Sequence, residues 1–305
     1  MDLATEICGI ELTGPVLNGS GTFDALAARK VFGQSLAERF PFDCYVSKTI
    51  TMHPRPGNPP YRLWEAPSGM INSIGLPGPG LDGFLDNDLG RLAEIGVPLI
   101  VSVMADRVED FEILVKRVAD RDEVAGIELN VSCPNVHSGL IVGEQPSETE
   151  GLMRALRPIT GKPLIVKLTP NVANPHEVAL GAEAGGADAV SMINTVKAAA
   201  IDPTESRAWL GAGAGGLSGP AVRPIALAQV RAVSAAVEIP VIGMGGITDA
   251  ESALDFILAG ARVIAVGTES FRDPRAGEGV TAGLPAALRR RGFDTLAEAQ
   301  SATLA

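Results

Sequence analysis

The chain has 305 residues, 46% hydrophobic and 20% charged, which is enough apolar material for a large core and rules out a disordered polyelectrolyte. A formal net charge of −11 argues against a nucleic-acid surface, and the one basic run, Arg289-Arg290-Arg291 after "LPAAL", suits a helix C-terminus. Three scattered cysteines (Cys8, Cys44, Cys133), no metal-spaced histidines, no bilayer-length apolar stretch and no basic signal region predict a reduced cytoplasmic chain with no metal ligands of its own.

Taken in chain order, "ICGIELTGPV" (7–16) alternates around a glycine and predicts a hairpin closing a barrel floor. Eight β-rich runs follow: 16–20, 44–48, 98–103, 126–131, 163–168, 189–194, 240–245 and 263–268. Several are almost continuously apolar, as expected of parallel strands buried on both faces. Segments of helical periodicity lie between most of them, such as "VEDFEILVKRVAD" and "PHEVALGAEAGG", the latter ending on Gly185-Gly186 as a helix stop. No linker or composition shift divides residues 1–305, so the expectation is one domain, a (β/α)₈ TIM barrel of the α/β class. A doubly wound sheet would want a glycine fingerprint after its first strand. The match present, "GAGAGG" (211–216), lies deep in the chain and follows no credible strand.

Barrels of this kind carry their chemistry at the C-terminal strand ends. Those positions hold Ser20, Lys48, Ser102, Asn130 with Cys133, Lys167, Asn194 with Thr195, Gly245-Gly246 and Gly267-Thr268. Two lysines among amide and hydroxyl tips point to a site rather than to surface residues with packed stems. Glycine turns after the last two strands offer backbone N–H groups to a phosphate, which implies a phosphorylated cofactor or substrate. Cys133 has two readings. It is a small buried hydrophobe, or it is a base, since a thiol of pKa near 8.5 needs only nearby cations to become usable.

The ordered set "ELNVSCPN", "SKTIT", "NSIGLPGPG", "VKLTPNV", "MINT", "GGLSGP" and "IGMGGI" resembles the class 1 dihydroorotate dehydrogenases, over nearly the whole chain. The resemblance implies an FMN barrel that oxidises dihydroorotate to orotate in pyrimidine synthesis. It implies that Cys133 is the catalytic base, and that Lys48, Asn72, Ser73, Ile74, Gly75, Leu76, Asn130, Asn194 and Thr195 bind the substrate. It further implies FMN contacts at Ser20, Lys48, Thr49, Ser102, Asn130, Lys167, Ile193, Gly219, Gly245, Gly246, Gly267 and Thr268. The loop "SCPNVHSGLIVGEQP" is most like class 1B, with Ser138 and Val142 standing where glycine and phenylalanine are usual; Ser102 stands where an FMN-contacting asparagine is common. Class 1B membership implies electron transfer to NAD through a separate subunit carrying FAD and a 2Fe–2S cluster. The assembly implied is a homodimer core or a heterotetramer. The alternatives are a class 1A-like enzyme using fumarate, a related FMN barrel acting on another pyrimidine, or a barrel kept as a scaffold subunit.

Overall fold

The computed structural model describes residues 1–33, 36, 38–132 and 142–302; Cys133 and Ser138 lie outside these residues. Strands β1 (Thr5–Ile7) and β2 (Ile10–Leu12) form the expected N-terminal hairpin. Its two-residue loop, Cys8-Gly9, has positive φ at both positions (52° and 77°), the backbone that matches the twist of paired strands.

The next strands are β3 (Val16–Asn18), β4 (Tyr45–Val46), β5 (Leu63–Ala66), β6 (Gly69–Asn72), β7 (Leu99–Val103) and β8 (Gly126–Asn130). They are followed by β9 (Leu164–Lys167), β10 (Ala189–Met192), β11 (Val196–Ala198), β12 (Gly215–Ser218), β13 (Val241–Met244) and β14 (Val263–Val266). Eight of them form one parallel sheet in the order β3-β14-β13-β10-β9-β8-β7-β4, and a parallel bridge between Leu17 and Cys44 joins its two edges. This is the (β/α)₈ barrel, and its eight strands are those marked by the apolar runs.

One helix returns the chain after each barrel strand: α1 (Ala25–Phe32), α2 (Leu89–Ala93), α3 (Val108–Ala119), α4 (Pro146–Leu156), α5 (Pro175–Ala184), α6 (Arg223–Ser234), α7 (Ala250–Leu258) and α8 (Ala276–Arg290). Local chemistry sets their ends. Proline opens α4, α5 and α6, where its missing N–H costs nothing. Asp249 and Ser252 form a reciprocal capping box at α7. Gly185 caps α5, and Gly186 turns the chain with φ 95°. Arg290 and Arg291 are not free helix-end cations: Arg290 Nε donates to Glu251 Oε1 at 2.8 Å and Arg291 to Asp255 Oδ1 at 2.8 Å, clasping α8 to α7. Among the described residues no helix is long and apolar enough to cross a membrane.

Two further pieces position the site. The lower barrel interior is filled by Leu17, Val46, Ile100, Ile165, Ala189, Ile242 and Val263, and the hairpin residues Ile7, Ile10 and Leu12 pack on this layer. At the other end lies an antiparallel sheet of order β11-β12-β6-β5, built from the excursions after β4 and β10. The glycine run at 211–216 feeds its strand β12, which pairs with β11 on one side and β6 on the other, so it serves a sheet and opens no helix.

Candidate active site

A cavity of about 400 Å³ opens at the C-terminal end of the barrel, beneath the antiparallel sheet, within the size range of small-molecule sites. Barrel strands and the loops leaving them supply its polar wall: Ser20, Lys48, Thr49, Asn130, Lys167, Asn194 and Thr195. The antiparallel sheet and the loop after β6 supply Asn72, Ile74 and Leu76. Ile193, Gly219, Gly245, Gly246, Gly267 and Thr268 complete the expected set on this cavity. The remaining wall is largely apolar, with Leu63, Met70, Leu217, Val222, Met244 and Phe271, none of which the strand-end pattern pointed to.

Three expected residues lie behind this wall. Ser73 is buried, and its hydroxyl accepts from Asn58 Nδ2 at 3.0 Å. Gly75 turns with φ 76°, and an added Cβ there would meet Asn58, also outside the cavity. Ser102 is wholly buried in β7, where its hydroxyl lies 2.9 Å from that of Thr49 and donates to Glu128 Oε1 at 3.1 Å.

The amides are held by partners that fix their faces. Asn194 Nδ2 donates to Ser132 Oγ at 2.9 Å, while its Oδ1 accepts from the N–H of Thr195 at 2.8 Å. Asn130 Oδ1 lies 3.4 Å from Asn194 Nδ2, which links the ends of β8 and β10 across the mouth. Asn72 Nδ2 donates to the carbonyl of Gly216 at 3.3 Å, tying that amide to β12. Ser132 is the last described residue before Cys133 and sits within this amide cluster.

The two lysines differ in setting. Burial pulls the Lys48 ammonium below the ordinary lysine range; Asp24 opposes the shift and Arg62 adds to it. Lys167 is 7% exposed and stands 3.8 Å from Glu128 Oε1. Glu128 was not expected. It is 2% exposed, and Ser191 Oγ donates to its Oε2 at 2.9 Å. Its signal was present in "GIELNV": a charge two residues before Asn130 shares that residue's face of the strand.

Glycines at the ends of β12, β13 and β14 form another part of the wall. Gly219, Gly245 and Gly246 all have positive φ, and a Cβ on Gly246 would come within 2.7 Å of the Gly219 carbonyl, so side chains are kept out of this corner. The N–H groups of Gly245, Gly246, Gly267 and Thr268 donate to no acceptor among the described residues. Such a concentration of unclaimed donors on a concave wall can accept an anion. The whole arrangement can hold a long ligand with a phosphate at one end and a planar polar ring between Lys48, Lys167 and the asparagines.

Comparison with known proteins agrees over nearly the full length. The family model described as "Dihydroorotate dehydrogenase" matches residues 2–288. A protein of Desulforudis audaxviator named "Dihydroorotate dehydrogenase B (NAD(+)), catalytic subunit" is 44% identical over 299 residues, covering 97% of this chain and 95% of its own. Proteins of the same name from Geotalea uraniireducens (40% over 301 residues; 97% and 96% covered) and Anoxybacillus flavithermus (41% over 300 residues; 97% and 94%) are similar throughout.

Proposed function

The chain belongs to the dihydroorotate dehydrogenase family, and from that premise we propose that it oxidises (S)-dihydroorotate to orotate in pyrimidine synthesis, with FMN as its cofactor. What supports FMN is the fit of the residues present: four unclaimed N–H groups beside the Thr268 hydroxyl for a phosphate, and a buried lysine on the wall of the same cavity for the ring. When bound, FMN supplies the acceptor for the hydride that leaves the substrate.

The chain's own residues do the rest. Cys133, one residue beyond Ser132 and outside the described residues, is assigned as the base that takes the proton from the carbon beside the ring carbonyl. Loss of that proton and of a hydride from the neighbouring carbon leaves the double bond of orotate, so charge balances without any other reactant. The base must be a thiolate to accept, and a thiol ionises far more readily than an alcohol. Asn72, Asn130, Asn194 and Thr195 orient the ring through donors and acceptors that their neighbours already fix. Lys48 pairs with the substrate, and Lys167 places a fixed cation where negative charge gathers as hydride leaves. Ser73, Gly75 and Ser102 act from behind the wall, by shaping the segments that touch ligand.

The relatives are named NAD-linked catalytic subunits, which supports a class 1B arrangement in which a separate iron–sulfur flavoprotein carries electrons from a homodimeric core to NAD in the cytoplasm. The reading is tested by colour. Purified protein should carry FMN in equimolar amount and bleach anaerobically when dihydroorotate is added. A flavin that stays oxidised under excess dihydroorotate would refute it. Turnover with NAD should need the second subunit; efficient reduction of NAD by this chain alone would remove that partner.

A further inference from the structure

Glu128 has no part in the chemistry above, yet the barrel surrounds it with partners. A buried carboxylate is costly unless paired or hydrogen-bonded. Glu128 has both kinds of compensation, arranged asymmetrically. Its two oxygens are taken by hydroxyls of other strands, Oε1 by Ser102 at 3.1 Å and Oε2 by Ser191 at 2.9 Å. Lys167, by contrast, stands 3.8 Å from Oε1, close enough for charge attraction and too far for a hydrogen bond.

The hydroxyls have a single consistent direction. Ser102 donates its one proton to Glu128, so it accepts from Thr49, 2.9 Å away, and Thr49 in turn accepts from Ser20 at 3.0 Å. Ser20 and Thr49 line the cavity, whereas Ser102, Glu128 and Ser191 lie beneath it. Strand register explains the grouping. Ser102 is the direct neighbour of Glu128 on β7 and β8, and Ser191 is the direct neighbour of Lys167 on β10 and β9. Glu128 itself pairs with Ile165, one pleat repeat before Lys167, and its side chain reaches across that step to Ser191 and Lys167.

We propose that Glu128 is a positioning residue for Lys167: Ser102 and Ser191 hold its carboxylate back from the ammonium, leaving the ammonium's protons to the cavity while offsetting part of its charge. This rests on the FMN reading, because the ring in the cavity is what the offset charge acts on. The serines set the separation and the carboxylate sets the offset, so removing one or the other must move the site in opposite directions.

The test uses the FMN-loaded chain and sulfite as an anionic probe that adds to oxidised flavin, alongside the flavin's reduction potential by dye equilibration. Glu128→Gln, which keeps shape and loses charge, should tighten sulfite binding about tenfold and make the potential more positive by about 30 mV, the two-electron equivalent of tenfold. The double substitution Ser102→Ala and Ser191→Ala frees the carboxylate to close on Lys167 and should weaken sulfite binding. In a Lys167→Met background, Glu128→Gln should have no further effect. Shifts of the same sign in both variants, or values within twofold of the parent in Glu128→Gln, would overturn the inference. If the parent took up no FMN, the proposed function would fall first. The Glu128–Lys167 pairing would then be read from thermal unfolding, where strictly additive shifts for the two single variants and their double would overturn it.

Discussion

The lower and upper halves of the barrel interior are made by the same strands, two residues apart, and they could hardly differ more. Ile100 lies in the apolar layer and Ser102 in the polar one; Ile165 and Lys167 divide in the same way, as do Ala189 and Ser191. One pleat repeat along a strand returns the side chain to the same face but moves it one layer up. The lower layer is closed by the N-terminal hairpin and has only packing to offer. The upper layer opens on the cavity, and there the same inward-facing geometry presents a carboxylate, an ammonium and hydroxyls. The site is thus the topmost layer of the core with its residue types exchanged, which is why its side chains are held as firmly as core side chains.

Substitutions in the two halves should therefore fail differently. The largest effect is expected at the residue proposed as the base. Cys133→Ser should lower turnover by about 10²–10⁴-fold at neutral pH, the span a positioned acid–base group contributes, while FMN content stays at parent level. A serine variant as fast as the parent would remove the assignment. Next comes the lower layer. Ile165→Ala should cost about 2–5 kcal/mol of stability by urea unfolding, as buried Ile truncations do, with FMN affinity of the folded protein unchanged. If affinity fell in step with stability, the two layers would not be separable and the contrast would fail.

Smaller effects sharpen the upper half. Lys48→Met should weaken orotate binding by about 1.5–3 kcal/mol, the worth of a charged hydrogen bond, measured by titrating the flavin spectrum with orotate. Parent-like affinity would move Lys48 out of the substrate contact. Gly246→Ala forces an L-residue to φ 82° against the Gly219 carbonyl. It should raise the FMN dissociation constant by the equivalent of about 1–2 kcal/mol, the strain of that backbone region, with flavin fluorescence as the readout. The smallest is a pH effect. Lys48 titrates below the ordinary lysine value of 10.5 because it is buried. Between its native pKa and 10.5 the unfolded chain therefore holds a proton that the native chain has lost, so raising pH through that window favours the native state. The stability difference between parent apo-protein and Lys48→Met should shift toward the parent as pH rises there. A shift the other way would mean that Lys48 gains, rather than loses, proton affinity on folding.

How legible all this was depended on the range over which each signal acts. Buried parallel strands announce themselves locally, as in "PLIVSV" and "PLIVKL", and the strand ends then locate the site. The antiparallel sheet leaves little local trace, because β12 is the weak strand "GGLS" and its pairing of Gly216 with Asn72 spans 144 residues. Local propensity says little where a partner strand supplies the stability. Glu128 is a single charge within an apolar run, and only its alternation with Asn130 marks it as inward-facing. The strand end marks Ser102 as a polar tip, and the family resemblance implies a flavin contact there. Its place beneath Thr49 follows from strand tilt and register, which a single strand does not carry.

The central claim is that this upper layer is the floor of an FMN site facing dihydroorotate. A crystal structure with FMN and orotate bound tests it most directly. The prediction is a phosphate on the N–H groups of Gly245, Gly246, Gly267 and Thr268, a ring edge against Lys167, and orotate between Lys48 and the asparagines with the Cys133 sulfur on the face opposite the flavin. A flavin seated elsewhere, or that sulfur turned from the orotate ring with no room for its loop to return, would contradict the account.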